Sequence, residues 1–207
     1  NNVVAQPQGM PTSVTAGVPD AAAVLTWKLP KALREISGLA SDKTGLVYAV
    51  ADEHAHVFRM NPVNGEIVAV FGLGNPVVKG DFEGIALHNN WLYIITSGGR
   101  LLRTRITDDH AISDSHNKTP DGAKLSYEAF LLDTGCQEIE GLAADPVLPR
   151  LWLVCKEVRS PKQNKASAVI RLEAWSAETL ALLPGAAMEL PLVGVLALTG
   201  QKKFKPS

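Results

Sequence analysis

The chain lacks most of the features that assign a protein at a glance. Its 207 residues include only two cysteines, Cys136 and Cys155, too few for a disulfide-built scaffold and without zinc-motif spacing. Twenty Lys+Arg stand against 21 Asp+Glu, a formal net charge of -1, which gives no electrostatic ground for a nucleic-acid or anionic-membrane partner. No apolar run approaches the ~20 residues of a membrane-crossing helix; residues 190–198 come nearest and are broken by Pro191 and Gly194. No signal peptide is visible. The polar start at Asn1 is what a trimmed, exported protein would show. No long segment has a 3.6-residue apolar period, so helix is disfavoured over most of the chain.

What is present is an ordinary globular composition, 46% hydrophobic and 20% charged, enough for a real core in one domain. Above all there is a repeat. Glu35-Ile36-Ser37-Gly38-Leu39-Ala40 returns as Asp81-Phe82-Glu83-Gly84-Ile85-Ala86 and as Glu138-Ile139-Glu140-Gly141-Leu142-Ala143, and Lys203–Ser207 begins a fourth copy. Each motif is followed by Leu46–Val50, Trp91–Ile95 or Leu151–Cys155, with Tyr48, Tyr93 and Trp152 at equivalent places. Third runs at 57–60, 101–104 and 169–172 align Arg59, Arg103 and Arg171, and fourth runs close the units at 67–71, 129–132 and 180–183.

Short β-branched and aromatic runs divided by turns such as Asp42–Gly45 and Asn64-Gly65 predict strands. Four strands per repeated unit predict an all-β fold, a β-propeller of four-stranded antiparallel blades. Three complete blades do not close a ring, so the chain reads as a portion of a longer propeller, a four-unit closure being the alternative. Residues 1–22 form an N-terminal extension. Residues 23–207 form the propeller domain, incomplete at its C-terminus and opened by a strand at 23–29. Residues 107–124 and 159–165 read as surface-loop insertions, the second basic through Arg159, Lys162 and Lys165.

The motif strand is expected innermost in each blade. Glu83 and Glu140 share one motif position, so the repeat aims both at the channel, where like charges repel unless protonated or bridged by a cation. Ser37 takes the same position in the first unit. These hard oxygens suit Ca²⁺; the competing expectation is that each Glu caps backbone amides in its own blade or pairs with a neighbouring Arg. Asp52, Glu53, Lys156 and Glu157 end second strands and are candidate channel-mouth residues, or plain solvated strand ends. His54 and His56 could share a metal, but no third ligand is evident, and exposed strand ends are the better reading. Gly72-Leu73-Gly74 is a turn rather than a nucleotide loop. Pairing the first two strands of unit three sets Cys155 opposite about Glu140 and leaves Cys136 some four residues beyond, which predicts two free thiols.

The motif set, with Asp81-Phe82-Glu83-Gly84-Ile85 its best piece, resembles the SdiA-regulated domain family from about Leu29 onward. That resemblance implies a bacterial, mostly exported propeller, usually six-bladed, with calcium in the channel of some relatives and no settled activity. It implies a periplasmic or extracellular location. The sequence departs from the family at Ser97-Gly98, where relatives often carry an acidic residue. The favoured function is a calcium-stabilised module binding an unidentified small ligand or protein. The alternative is a calcium-dependent esterase or lactonase-like hydrolase, for which no Asn, Asp and His constellation could be placed in the three units.

Overall fold

The computed structural model describes Thr26, residues 28–107, 122–158 and 169–191. After a short 3₁₀ turn at Lys31–Leu33, all of the regular structure among the described residues is strand. No helix among the described residues is long and apolar enough to cross a membrane. The N-terminal extension, the motif at Lys203–Ser207 and the basic insertion Arg159–Lys165 lie outside the described residues. Of the strand expected at 23–29, Thr26, Lys28 and Leu29 are not in a strand.

Three sheets follow one another along the chain. The first pairs β1 (Ile36–Ser41), β2 (Val47–Ala51), β3 (His56–Asn61) and β4 (Glu66–Leu73). The second pairs β5 (Phe82–His88), β6 (Trp91–Thr96) and β7 (Arg100–Arg105). The next strand in the chain, β8 (Ala123–Leu125), leaves the second sheet and joins the first, parallel to β4, before β9 (Glu128–Leu131) completes the second. The third sheet orders β10 (Cys136–Ala144), β11 (Arg150–Val158), β12 (Val169–Ser176) and β13 (Ala181–Leu182), with β14 (Met188–Pro191) also on β12.

Local chemistry explains the turns. In the first sheet Asp42 Oδ1 accepts from Thr44 N (2.9 Å), Thr44 Oγ1 (2.6 Å) and Leu46 N (3.1 Å), an Asx turn finished by Gly45 at φ 86°. In the third, Asp145 Oδ1 does the same for Val147 N and Leu148 N at 3.0 and 2.9 Å. The second sheet uses a two-residue hairpin instead, with Asn89 and Asn90 at φ 48° and 62°, the conformation a primed turn requires.

The repeat alignment holds at its aromatic anchors. Tyr48 pairs with Ala40, Tyr93 with Ala86 and Trp152 with Ala143. It fails at one basic position: Arg59 and Arg103 lie opposite Tyr48 and Tyr93, but Ala174 lies opposite Trp152, and Arg171 instead faces Cys155. β12 is longer than β3 and β7, so the expected register was displaced by three residues. Two other expectations change. The insertion at 107–124 ends in strand β8 rather than loop, and the fourth strand of the third sheet is split into β13 and β14.

The cysteines form a disulfide, Cys136–Cys155, with Cα atoms 5.1 Å apart, and no cysteine is free. Counting residues along a regular ladder had placed them too far apart. The ladder is not regular: Cys155 is opposite Ile139, and irregularities fall between Cys136, Glu138, Ile139 and Gly141. Bulges of this kind shorten and bend a strand, which returns Cys136 to its partner.

The core lies between the sheets. Tyr48, Val57, Phe71, Ile85, Leu92 and Ile94 bury together between the first and second, and Tyr93, Ile95, Leu101, Ile139, Leu153 and Trp175 between the second and third. Each fully buried aliphatic side chain stabilises by about 1.5–3 kcal/mol. The motif strands run side by side, β5 between β1 and β10, and the motif glycines explain how. A Cβ on Gly38 would stand 3.0 Å from Ile85 N, and one on Gly84 would stand 2.5 Å from Leu142 N and 2.8 Å from Leu142 Cβ. Neighbouring inner strands approach closely because there is no side chain there.

Candidate functional site: a carboxylate cluster on the inner strands

One irregularity recurs in all three motif strands. Ile36 pairs with Ala51 and Gly38 with Val50; Phe82 with Thr96 and Gly84 with Ile95; Ile139 with Cys155 and Gly141 with Val154. Ser37, Glu83 and Glu140 are therefore each the extra residue of a β-bulge, unpaired in the ladder. A bulge re-aims a side chain, and here it does so three times at one repeat position. All three residues are half-buried, and the Glu140 side chain is only 9% exposed.

A second tier surrounds them. Four residues past each aromatic anchor stand Asp52, Ser97 and Lys156. The first two knit sheet to sheet: Phe82 N donates to the Asp52 carbonyl at 2.7 Å, and Ile139 N to the Ser97 carbonyl at 3.0 Å. Ser97 Oγ also donates to Asp81 Oδ2 at 2.6 Å. Lys156 reaches across its own sheet, with Nζ 3.0 Å from Glu140 Oε1 and 3.3 Å from Glu138 Oε2. The hydrogen bonds it donates, to Glu140 first and then to Glu138, hold the ammonium in its charged form beyond its ordinary range.

Glu83 is treated differently. Among the described residues its carboxyl accepts no hydrogen bond. Burial, then the negative charges of Glu140, Asp81 and Asp52, push it from 4.5 to about 7, with Lys156 pulling the other way. Glu83 and Glu140 thus feel one another's charge, and of the two, among the described residues, only Glu140 is ion-paired at close range. A group poised near neutrality and crowded by like charge can take a proton, or be relieved by a cation supplied from outside.

The other sequence candidates are scattered. Glu53 is exposed and its amide is held by Asp52 Oδ1 at 2.6 Å. Glu157 lies opposite Glu138 on β11. His54 and His56 are half-buried rather than exposed, with ring centroids 5.8 Å apart. Cys136, Cys155 and Glu173 cluster closely enough to suggest a metal site, but sulfurs joined in a disulfide are not thiolate ligands. Glu173 is instead occupied by Gly135 N and Arg171 Nε, both at 3.2 Å.

Sequence reasoning missed two features. It did not pair Lys156 with both Glu138 and Glu140, because the bulges that bring them together leave no composition signal. It also missed a pocket of about 360 Å³ on the other side of the second sheet, where Trp91, Arg103, Arg105, Lys124 and Tyr127 meet around the β8–β9 junction. There Arg103 and Arg105 stack on Trp91 at 4.2 and 4.6 Å, and Glu128 neutralises Arg103 at 2.8 Å.

No family model matches the chain, and no curated protein does. Among solved structures it is similar to the computationally designed Ika4 protein, at 13% identity and a TM-score of 0.42, over 75% of this chain and 74% of that one. It is also similar to the PQQ-bound form of aldose sugar dehydrogenase from Streptomyces coelicolor (16%, TM-score 0.38, 67% and 42%) and to Kluyveromyces lactis Hsv2 (9%, TM-score 0.39, 75% and 46%). The chain spans less than half the length of these last two. At such TM-scores and identities these likenesses fix neither activity nor the number of blades.

Proposed function

We propose that the three sheets are blades of a β-propeller, and that its inner strands bind Ca²⁺ through Glu83 and Glu140, with Ser37 at the same position. In this reading the protein is a ligand- or partner-binding module rather than a dedicated catalyst. The observation that carries it is the thrice-repeated bulge, which sets three oxygen-bearing side chains at one position on adjacent inner strands. The donors are carboxylate and hydroxyl oxygens, the set a hard cation prefers. Glu83 is raised by burial first and then by the repulsion of neighbouring carboxylates, and a divalent cation would remove that repulsion. Lys156 is the resident competitor: its ammonium already neutralises Glu140. Calcium therefore binds Glu83 foremost and shares Glu140. The Cys136–Cys155 disulfide favours an oxidising compartment, in keeping with an exported, periplasmic or extracellular protein, and six blades remain the expectation from the family resemblance alone.

The test is melting temperature against calcium concentration for wild type, Glu83→Gln and Glu140→Gln. A ligand that binds only the folded form raises the transition with concentration. Wild type should rise, and each variant should rise less. Three identical flat curves would leave the glutamates without a metal role.

A further inference from the structure

The third sheet departs from the repeat at three positions, and the departures meet at one place. Where β11 carries Cys155, the second sheet has Thr96 and the first has Ala51. Two residues before the motif, Cys136 stands where the other units have Leu33 and Lys79. Opposite the residue after the aromatic anchor, the first sheet sets Phe58 against Ala49 and the second Leu102 against Ile94. The third sets Glu173 against Leu153. Cys136 and Cys155 are 3% exposed and Glu173 is 8% exposed, and their sulfur and carboxylate atoms lie within 4.8 Å of one another. The carboxylate is held in place. Gly135 N donates to Oε1 at 3.2 Å and to Oε2 at 3.3 Å, and Arg171 Nε donates to Oε1 at 3.2 Å. A Cβ on Gly135 would stand 2.8 Å from Oε1, so the residue beside Cys136 is bare where the carboxylate comes in. Burying a carboxylate where the sister sheets bury Phe58 and Leu102 costs desolvation, and a disulfide needs no carboxylate beside it.

We propose that, with the disulfide reduced, Cys136, Cys155 and Glu173 bind one Zn²⁺. Two thiolates and a carboxylate are donors zinc accepts, and three protein ligands leave a fourth position for water. Thiolates select zinc over the hard cations that carboxylates alone would favour. Breaking the S–S bond frees both side chains to turn about χ1 on Cα atoms 5.1 Å apart, so the sulfurs can part to ligand spacing. Charge agrees. Three anionic ligands exceed the charge of the ion by one, and the Arg171 guanidinium on Glu173 supplies the balance. Arg171 and Gly135 then act as the outer partners that fix the carboxylate. The site is redox-switched. A disulfide oxidant RSSR takes two electrons from the two zinc thiolates and leaves as two RS⁻; the Cys136–Cys155 bond forms and Zn²⁺ departs. A thiol reductant runs the exchange backwards. An oxidising compartment keeps the disulfide form, and the zinc form belongs to the chain before that oxidation. The inference stands apart from the calcium reading, because neither Glu83 nor Glu140 is in the ligand set.

The experiment uses the full 207-residue chain, reduced with a phosphine under argon and free of calcium. Cobalt(II) is the probe, since thiolate ligands give it a near-ultraviolet charge-transfer band that carboxylates and imidazoles do not. Wild type should develop the band to saturation at one equivalent, and Zn²⁺ should bleach it. Oxidation by a small disulfide should then discharge the zinc to a chromogenic chelator. Cys136→Ser and Cys155→Ser should each lose most of the band. Glu173→Gln is the sharper arm, because it keeps both thiols and the size of the side chain. Its zinc affinity should fall by at least ~10-fold, since even residues that only support a ligand cost that much. Zinc should also raise the melting temperature of reduced wild type more than that of Glu173→Gln. If the reduced chain is unfolded without metal, circular dichroism should show it folding as zinc is added. The absence of the band in reduced wild type, folded or not, overturns the proposal, as does a zinc affinity that Glu173→Gln leaves unchanged.

Discussion

Strands β5 and β10 carry the same motif in the same register with the same bulge, and their glutamates nevertheless sit in opposite electrical surroundings. Glu140 faces an ammonium held at 3.0 Å; Glu83 is pushed to about 7, by burial first and then by neighbouring carboxylates. One residue on the adjoining strand contributes to the contrast, Lys156 in the third sheet and Ser97 in the second. The glycines that follow differ as well, Gly84 pressed against Leu142 and Gly141 open to its own Val154. Backbone repetition settles where a side chain is sent. What it meets there is decided by single residues outside the repeated motif.

The largest expected break in this comparison is the covalent one. β10 is tied to β11 by Cys136–Cys155, whereas β6 carries Thr96 at the place of Cys155. Replacing both cysteines by serine removes a loop closure spanning 19 residues and should cost about 3 kcal/mol in the chain-entropy account, measured by urea unfolding. Thiol titration of the unfolded, unreduced wild type should find none. Next come the glycines. Gly84→Ala forces a methyl into backbone and should destabilise by roughly 1–3 kcal/mol, while Gly141→Ala should cost less than about 1 kcal/mol, its nearest neighbour among the described residues being 3.4 Å away. Equal losses at the two sites would undo the packing account.

Smaller effects test the charges. Lys156→Met should leave the Glu140 carboxylate, 9% exposed, without the ammonium that faces it, and the melting temperature at neutral pH should fall by a few degrees. Smallest is the titration of Glu83 itself. Its folded-state value of about 7 lies above the ordinary 4.5, so between those values the folded chain binds more protons than the unfolded one. Stability from this group is therefore full below about pH 4.5 and declines as pH rises to about 7. Glu83→Gln removes that decline. In chelator, the variant should gain on wild type in melting temperature between pH 5 and pH 8, the gap vanishing toward pH 4; parallel curves would refute the assignment.

Much of this was legible in the sequence, because strand chemistry repeats locally. The repeat places the first unit's runs at 35–40, 46–50, 57–60 and 67–71, and its strands run Ile36–Ser41, Val47–Ala51, His56–Asn61 and Glu66–Leu73. Tyr48, Tyr93 and Trp152, equivalent in the repeat, share one register. The failures are failures of counting. Bulges near Cys136 and Glu140 break the residue-for-residue correspondence on which the thiol expectation rested. The insertion before β12 hid where that strand's equivalence with β3 begins, and so misplaced Arg171. Nothing local announces that Ala123–Leu125 will cross to a neighbouring sheet, since three residues carry too little pattern to name a partner.

That crossing sets an order of events during synthesis. β4 is complete at residue 73, but the strand that covers its outer edge ends at residue 125. At ~5–20 residues per second the ribosome leaves this edge uncovered for on the order of 3–10 s, long compared with the microseconds in which hairpins form. The first sheet must therefore wait, folded but unguarded, for a segment delivered only after most of the second sheet has emerged. A nascent chain stalled between residues 73 and 122 should be the most aggregation-prone intermediate, and slower elongation through that interval should lower the yield of folded protein.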